Sequence, residues 1–323
     1  MPVVVITGGT AGVGRATAEY FALRGYDVGV IARSPAGLQA TVTALQTHGA
    51  RAIGMSADVA DSHQLQSAAE HIAAALGTPD VWVNCAMCTV LAPFNDTSDE
   101  EFRRVTDVTY LGYVYGTRQA LRMMAARDRG VIIQVGSALA YRSIPLQAAY
   151  CGAKAAIRGF TDALRCELIH QRSAIQLTMV QLPGMNTPQF EWARNKLGKK
   201  ARPVAPVFQP EMAARAIYRA SQRRVREVWL GSSSIQSIAG NMLFPALFDR
   251  LLAKKAWSGQ TEEQPLSATA DYLDAPVDGL HHARGRFSDE AKTHTLSASA
   301  DLPGKVVITL LGLLALGRFM RRR

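Results

Sequence analysis

The sequence predicts an α/β protein built on a doubly wound parallel sheet of about seven strands with helices on both faces. Three observations lead to that class. Short β-branched runs alternate with longer stretches of helical period as far as about residue 230, the pattern of strands joined by crossover helices. The runs are apolar along their whole length, as strands covered on both faces are. A glycine-rich turn, TGGTAGVG, joins the first run to the first helical stretch.

Taken in order, VVVIT opens the chain and leads into a helix over residues 12–24. DVGVIA precedes a helix over 35–47, RAIGMSAD one over 61–76, and VWVN one over roughly 98–126. GVIIQVGS leads to a helix over 148–171, IQLTMVQL to one over 209–223, and REVWLG closes the series. Residues 235–257 have the pattern of one or two amphipathic helices broken near Pro245, because proline cannot continue a preceding helix. These elements define a first domain over residues 1–257. Residues 258–304 are polar, acidic and rich in Ser, Ala, Asp and Gly, and read as a disordered linker that cannot bury enough surface to fold alone. Residues 305–323 form a short hydrophobic and basic tail.

The chain has 323 residues, of which 48% are hydrophobic, ample for a packed core. No basic segment followed by an apolar run precedes the first strand, so no signal peptide is read and the expected compartment is the cytoplasm. Four cysteines, Cys85, Cys88, Cys151 and Cys166, fit a reducing environment. Cys85 and Cys88 make a C-x-x-C, but no second pair or histidine pair at ligand spacing joins them, so buried thiols and no metal are expected.

The net charge of +10 is unevenly spread. Ten Lys/Arg face two Glu between Glu191 and Arg226, whereas eight Asp/Glu face three Lys/Arg between Ser258 and Gly304. Such asymmetry marks either an anionic partner, substrate or lipid, or a solvated helix face. Nucleic acid is not expected, since no aromatic residues interleave with the basic ones as a stacking platform requires.

The glycine turn points to a phosphate. Gly8, Gly12 and Gly14 allow tight turning and close backbone approach, and the N–H groups at the helix start attract a pyrophosphate. At the end of the second strand an acidic residue would select NAD through a ribose 2′-hydroxyl. Here VGVIARS places Arg33 there and no carboxylate, which favours NADP(H) over NAD. Tyr150 and Lys154 lie four apart in a helical stretch, so a phenol and an ammonium share one face.

Together these residues resemble the short-chain dehydrogenase/reductase family, with its Rossmann-type fold, over about residues 1–230. The family's T-G-x-x-x-G-x-G is met by Thr7 to Gly14, with Thr7, Gly8, Thr10, Gly12, Val13 and Gly14 implied as cofactor-binding. Asp58 and Val59 match the pair flanking the adenine. VNCAM stands where the family has N-N-A-G, keeping Asn84 and Ala86 but not the residues at Cys85 and Met87. Ser137 stands 13 residues before Tyr150, as the family's catalytic serine does, and LPGMNT supplies the Pro183, Gly184 and Thr187 that border the nicotinamide.

The resemblance implies an NADP(H)-dependent oxidoreductase moving hydride between nicotinamide and a carbonyl or secondary alcohol. Tyr150 would be general acid in reduction and base in oxidation, its phenolate favoured by Lys154 and the oxidised cofactor's charge. Lys154 would also hold the nicotinamide ribose, and Ser137 would bond the substrate oxygen. An asparagine that commonly relays protons is replaced by Thr109, three before Gly112. A threonine hydroxyl is shorter and differently placed. That departure keeps open an alternative, a non-catalytic NADP-binding sensor or interaction module.

The segment of about 184–209 would close over the substrate. Phe190, Trp192 and Phe208 among Arg194, Lys196, Lys199, Lys200 and Arg202 point to a lipophilic substrate with an anionic end, or to charges that merely face water. The resemblance also implies a homodimer or homotetramer. The tail's uncharged run, Val306 to Gly317, is short of the ~20 residues that span a bilayer, so a shallow membrane contact is favoured over a span or a packed helix.

Overall fold

A computed structural model describes residues 1–266 and 271–299. Seven parallel strands form the sheet: β1 (Val3–Thr7), β2 (Asp27–Ala32), β3 (Ala52–Ser56), β4 (Val81–Asn84), β6 (Val131–Ser137), β7 (Gln176–Leu182) and β10 (Glu227–Leu230). Their spatial order is β3, β2, β1, β4, β6, β7, β10. The chain thus starts centrally, runs out to one edge, and returns to fill the other half. The reversal falls between β1 and β4, where Thr7 pairs with Asn84, and a crevice opens beyond the carboxyl ends of such strands.

Both faces of the sheet are covered. On one lie α1 (Gly12–Ala22), α2 (Pro35–Thr47) and α8 (Pro210–Ser221), which bury Phe21, Leu45 and Ile217 against Val4, Val28 and Val180. On the other lie α3 (Ser62–Leu76), α4 (Asp99–Thr106), α5 (Gly112–Met124) and α6 (Ala148–His170), burying Leu65, Ile72, Val105 and Met124 around Trp82. Each buried side chain of that size contributes about 1.5–3 kcal/mol relative to an exposed one, which is why the central strands are mostly apolar. The helices start where side chains satisfy their first N–H groups. Ser34 accepts from the Gly37 amide with Pro35 in the first turn, Asp61 accepts from His63 and Gln64, and Ser98 and Glu101 form a reciprocal capping box.

The helix expected over 98–126 is interrupted. One π-helical turn, Asp107–Leu111, separates α4 from α5 and carries Thr109. The C-terminal helices divide at the proline, into α9 (Ser232–Leu243) and α10 (Pro245–Lys255). Two small ladders flank the sheet. β5 (Val90–Leu91) pairs with β8 (Arg194–Asn195) just after the short α7 (Gln189–Trp192), and β9 (Lys199–Ala201) pairs with β11 (Thr261–Pro265).

Residues 258–299 depart from the expected disordered linker. β11 pairs with the segment over the substrate side, and β12 (Ser297–Ser299) adds an eighth, antiparallel strand beside β10. Tyr272, Leu273 and Phe287 are buried. The reason lies in partners far away in sequence. Arg194 bonds Asp271 and Asp274, Lys199 bonds Glu263, and Arg202 bonds Glu290. The basic stretch after Glu191 and the acidic stretch after Ser258 therefore meet each other. The expected tail, residues 305–323, lies outside the described residues, as does most of its approach.

Candidate active site

A cavity of about 390 Å³ runs along the carboxyl ends of the central strands. The turn after β1 lines it with Gly8, Thr10, Gly12, Val13 and Gly14. Gly8 and Gly12 have φ of +69° and +56°, the left-handed region that favours glycine. A Cβ on Gly14 would sit 2.1 Å from the Gly8 carbonyl oxygen, so the turn closes only with glycine there. The amino end of α1 has no side-chain cap and no acidic residue in its first turn, so its positive dipole end suits an anion, although the Gly12 amide donates to the His282 carbonyl within the chain. Arg33 and Ser34 line the next part, followed by Asp58 and Val59 and then Ala86 and Met87. Pro183, Gly184 and Thr187 close the far side. This glycine cradle, an uncapped helix start and a cation at the second strand's end fit a phosphorylated dinucleotide.

Ser137 ends β6, while Tyr150 and Lys154 lie one turn apart on α6, and all three line the same cavity. The Ser137 side chain adjoins the Tyr150 phenol and accepts from the Leu139 amide at 3.1 Å. Burial pushes the phenol above its ordinary pKa, with the Ser137 contact pulling the other way. The Lys154 ammonium donates to the Val135 carbonyl at 2.8 Å and to the Tyr113 hydroxyl at 3.0 Å, and lies 5.6 Å from the centre of the Tyr150 ring. Burial lowers its pKa to about 8. The phenol is thus raised by desolvation, with Ser137 as the group that lowers it, rather than lowered by Lys154 as expected.

Three expected residues sit behind the cavity wall. Asn84 is fully buried: its Oδ1 accepts from Trp82 Nε1 at 2.8 Å, and its Nδ2 donates to Thr117 and Gln134. Thr7 Oγ1 accepts from the Cys85 and Ala86 amides and so holds the β4 turn in place. Thr109 Oγ1 donates to the Cys88 carbonyl at 2.9 Å and accepts from the Cys88 amide at 3.0 Å. Its hydroxyl fastens backbone, and no bond joins it to Lys154. Cys85 and Cys88 are buried thiols, pushed up to about 11 and about 12 by desolvation.

The lid differs from its expected chemistry in one respect. Phe190 and Trp192 face the cavity, but Phe208 is core, and the lid's cations are engaged within the chain. Arg194 and Lys196 bond Glu101, Arg194 also bonds Asp271 and Asp274, Lys199 bonds Glu263, Lys200 bonds Gln264 and Arg202 bonds Glu290. Of these cations only Arg202 lines the cavity, and it does so paired with Glu290.

Other site residues gave no sequence signal. Tyr113 accepts from the Lys154 ammonium and donates its own hydroxyl hydrogen bond to the Val135 carbonyl at 2.9 Å. Arg104 pairs with Asp58. Tyr272, Val277 and His281, all from the presumed linker, line the cavity opposite the glycine turn.

The sequence model of the short chain dehydrogenase family matches residues 2–197. The chain belongs to that family. It is 32% identical over 265 residues to the uncharacterized oxidoreductase YxnA of Bacillus subtilis, covering 81% of this chain and 74% of that one. It is 29% identical to the bovine (Bos taurus) dehydrogenase/reductase SDR family member 7B, covering 79% of this chain and 81% of the relative. In fold it is similar to an actinorhodin polyketide ketoreductase crystallised with NADPH, with a TM-score of 0.63, 24% identity, and coverage of 71% and 95% of the two chains. A Thermococcus sibiricus alcohol dehydrogenase complexed with 5-hydroxy-NADP gives a TM-score of 0.61 at 24% identity, with coverage of 71% and 96%. This short-chain dehydrogenase is thus an oxidoreductase acting on CH–OH and C=O groups with a nicotinamide dinucleotide.

Proposed function

We propose that the protein is an NADP(H)-dependent reductase of lipophilic carbonyl compounds, with Tyr150 as its general acid. One observation carries the reading: Ser137, Tyr150 and Lys154 share a cavity with the glycine turn and Arg33. The bound dinucleotide would supply hydride to a carbonyl carbon or accept it from a carbinol. Ser137 bonds the substrate oxygen and orients it. Tyr150, kept protonated at neutral pH by burial, delivers the proton that the oxygen needs. Lys154, held by Tyr113 and the Val135 carbonyl, supplies the positive charge that stabilises the phenolate left behind. Arg33 favours a 2′-phosphate over a bare ribose.

The substrate end of the cavity is walled by Leu139, Ile144, Met185, Val204, Phe248 and Leu252, which supports an apolar substrate body. Titration with NADPH and NADH, followed by a panel of alkyl and aryl ketones against small sugars, tests this. Turnover of ketones with NADPH is expected; a preference for small neutral sugars would remove the lipophilic reading.

A membrane surface is the proposed environment. No helix among the described residues is long and apolar enough to cross a bilayer. On α9 and α10, however, Met242, Leu243, Phe244, Leu247 and Leu251 are exposed beside Arg250, Lys254 and Lys255, while Phe248 and Leu252 of the same helix line the cavity. Exposed apolar residues next to cations suit an anionic interface. Flotation with anionic vesicles should carry the protein, and Leu247→Glu with Leu251→Glu should leave it behind.

A further inference from the structure

The two donor sets that the dinucleotide's phosphates need are engaged by one segment of the chain itself. The Gly12 amide, at the start of α1, donates to the His282 carbonyl at 3.0 Å. Arg33 donates through Nη1 to the Leu273 carbonyl at 3.3 Å and through Nη2 to the Tyr272 carbonyl. Arg104, paired with Asp58, also donates to the Leu273 carbonyl, at 3.0 Å. These carbonyl oxygens lie where the 2′-phosphate and pyrophosphate would be bound. An amide has one proton, and the Nη edge of a guanidinium that faces two carbonyls cannot face a phosphate at the same time.

The segment is tethered at both ends and held between them mainly by polar contacts, among them Arg194 with Asp271 and Asp274 and Arg284 with Glu211. β11 ties it to β9 and β12 ties it to β10. In between, Tyr272 packs against Trp192 with ring centres 6.1 Å apart, and its hydroxyl accepts from the Thr89 amide at 3.1 Å. His281 stacks on Trp192 at 6.1 Å and reaches Ser34 Oγ at 3.3 Å. The Gly285 amide donates to the Asn186 carbonyl at 3.2 Å. Few apolar side chains hold it, which places it among the least stable parts of the molecule.

We propose that residues 271–285 are a built-in pseudo-ligand of the dinucleotide cleft. The backbone carbonyls of Tyr272, Leu273 and His282 stand in for phosphate oxygens, and a dinucleotide binds by displacing them. The exchange is favourable once the anion arrives, because bonds from a guanidinium to phosphate are roughly twice as strong as those to a neutral carbonyl. The free protein is therefore closed against adventitious anions and opens for a molecule that supplies both phosphates together. This rests on the reading of the cleft as an NADP(H) site.

Hydrogen exchange on the full chain tests the idea without any turnover. The amides of Tyr272, His282 and Gly285 have acceptors within the protein. Saturating NADPH should speed their exchange severalfold while slowing that of the strands around the cleft. Unchanged or slower exchange in 271–285, with binding intact, would overturn the pseudo-ligand and leave the cofactor site standing. A second measurement uses Leu273→Lys, which puts a charge at a buried apolar position of the segment and so favours its release. Removing the cost of opening should tighten NADPH binding about tenfold, read by nucleotide fluorescence. Weaker or equal binding would overturn the proposal, whereas no NADPH binding by either protein would remove the cofactor reading together with it.

Discussion

The sheet and the C-terminal segment are ordered by different forces. In the sheet, every strand from β1 to β7 except the edge strand β3 carries a run of buried apolar residues, and neighbours pair in parallel register over four to seven residues. Stability there is collective, because each side chain touches many others in a close-packed interior. Residues 271–299 have three large buried side chains, Tyr272, Leu273 and Phe287, and are otherwise held by ion pairs and backbone bonds to distant partners. Exposed ion pairs are individually weak and weaken further with salt. The difference teaches that one chain can join a sheet held by collective apolar packing to a segment held by polar contacts, and that this segment bonds Gly12 and Arg33 at one end of the cavity.

The sharpest separation between the two regions should come at the reacting centre. Tyr150→Phe removes the proton donor and should lower the reduction rate by roughly 10²–10⁴-fold with NADPH binding retained, as single-turnover kinetics with a binding titration can establish. Loss of binding instead would assign Tyr150 to the cofactor's hold rather than to proton transfer.

Core truncations come next. Phe21→Ala, at a fully buried site under the sheet, should cost about 3–5 kcal/mol in global unfolding by denaturant. Leu273→Ala is equally buried, yet it should leave the main transition near its place and raise protease cleavage at Arg284 and Arg286. A shared, equal shift of the main transition would show that body and segment unfold as one unit.

Arg33→Ala should weaken NADPH binding about 10–100-fold, the value of one or two charge-assisted bonds, with NADH binding changed little. Equal loss for both nucleotides would place Arg33 on something other than the 2′-phosphate. A pH profile has a smaller effect. Lys154, lowered to about 8, is charged below that pH and neutral above it, while Tyr150 stays protonated through the same range. Reduction should therefore be level below about pH 8 and fall as pH rises through it, a limb that Tyr113→Phe should shift. A flat profile would mean that the charge on Lys154 does not assist. The smallest effect is expected at Arg284 and Glu211, an exposed pair whose loss should change unfolding by about 0–1 kcal/mol.

The body was legible in the sequence because its information is local. Apolar runs of strand length, helical period between them, and a glycine turn in the right place are written in consecutive residues. Ser137, Tyr150 and Lys154 could be picked out for the same reason. Asn84, Thr7 and Thr109 were also picked out, but only the structure shows that their polar atoms are used up on Trp82, Cys85 and Cys88 and their neighbours. The uneven charge was visible as well, though its meaning was not. A basic stretch and an acidic stretch far apart in the chain look like surfaces awaiting partners until the fold brings Arg194 to Asp271 and Arg202 to Glu290.

The sequence by itself determined the α/β class, the order of the motifs along the chain, and the choice of Ser137, Tyr150 and Lys154, which line one cavity. Those follow from periodicity and from short motifs whose residues act within a turn or two of each other. Only the tertiary structure decided that Tyr272, Pro276, Val277 and His281 line the cavity, that Arg33 bonds the Tyr272 and Leu273 carbonyls, and that Tyr113 holds Lys154. Backbone carbonyls are the same in every residue, so no pattern of side chains announces where they will be used. Their role appears only when folding brings them to a donor that would otherwise be unpaired.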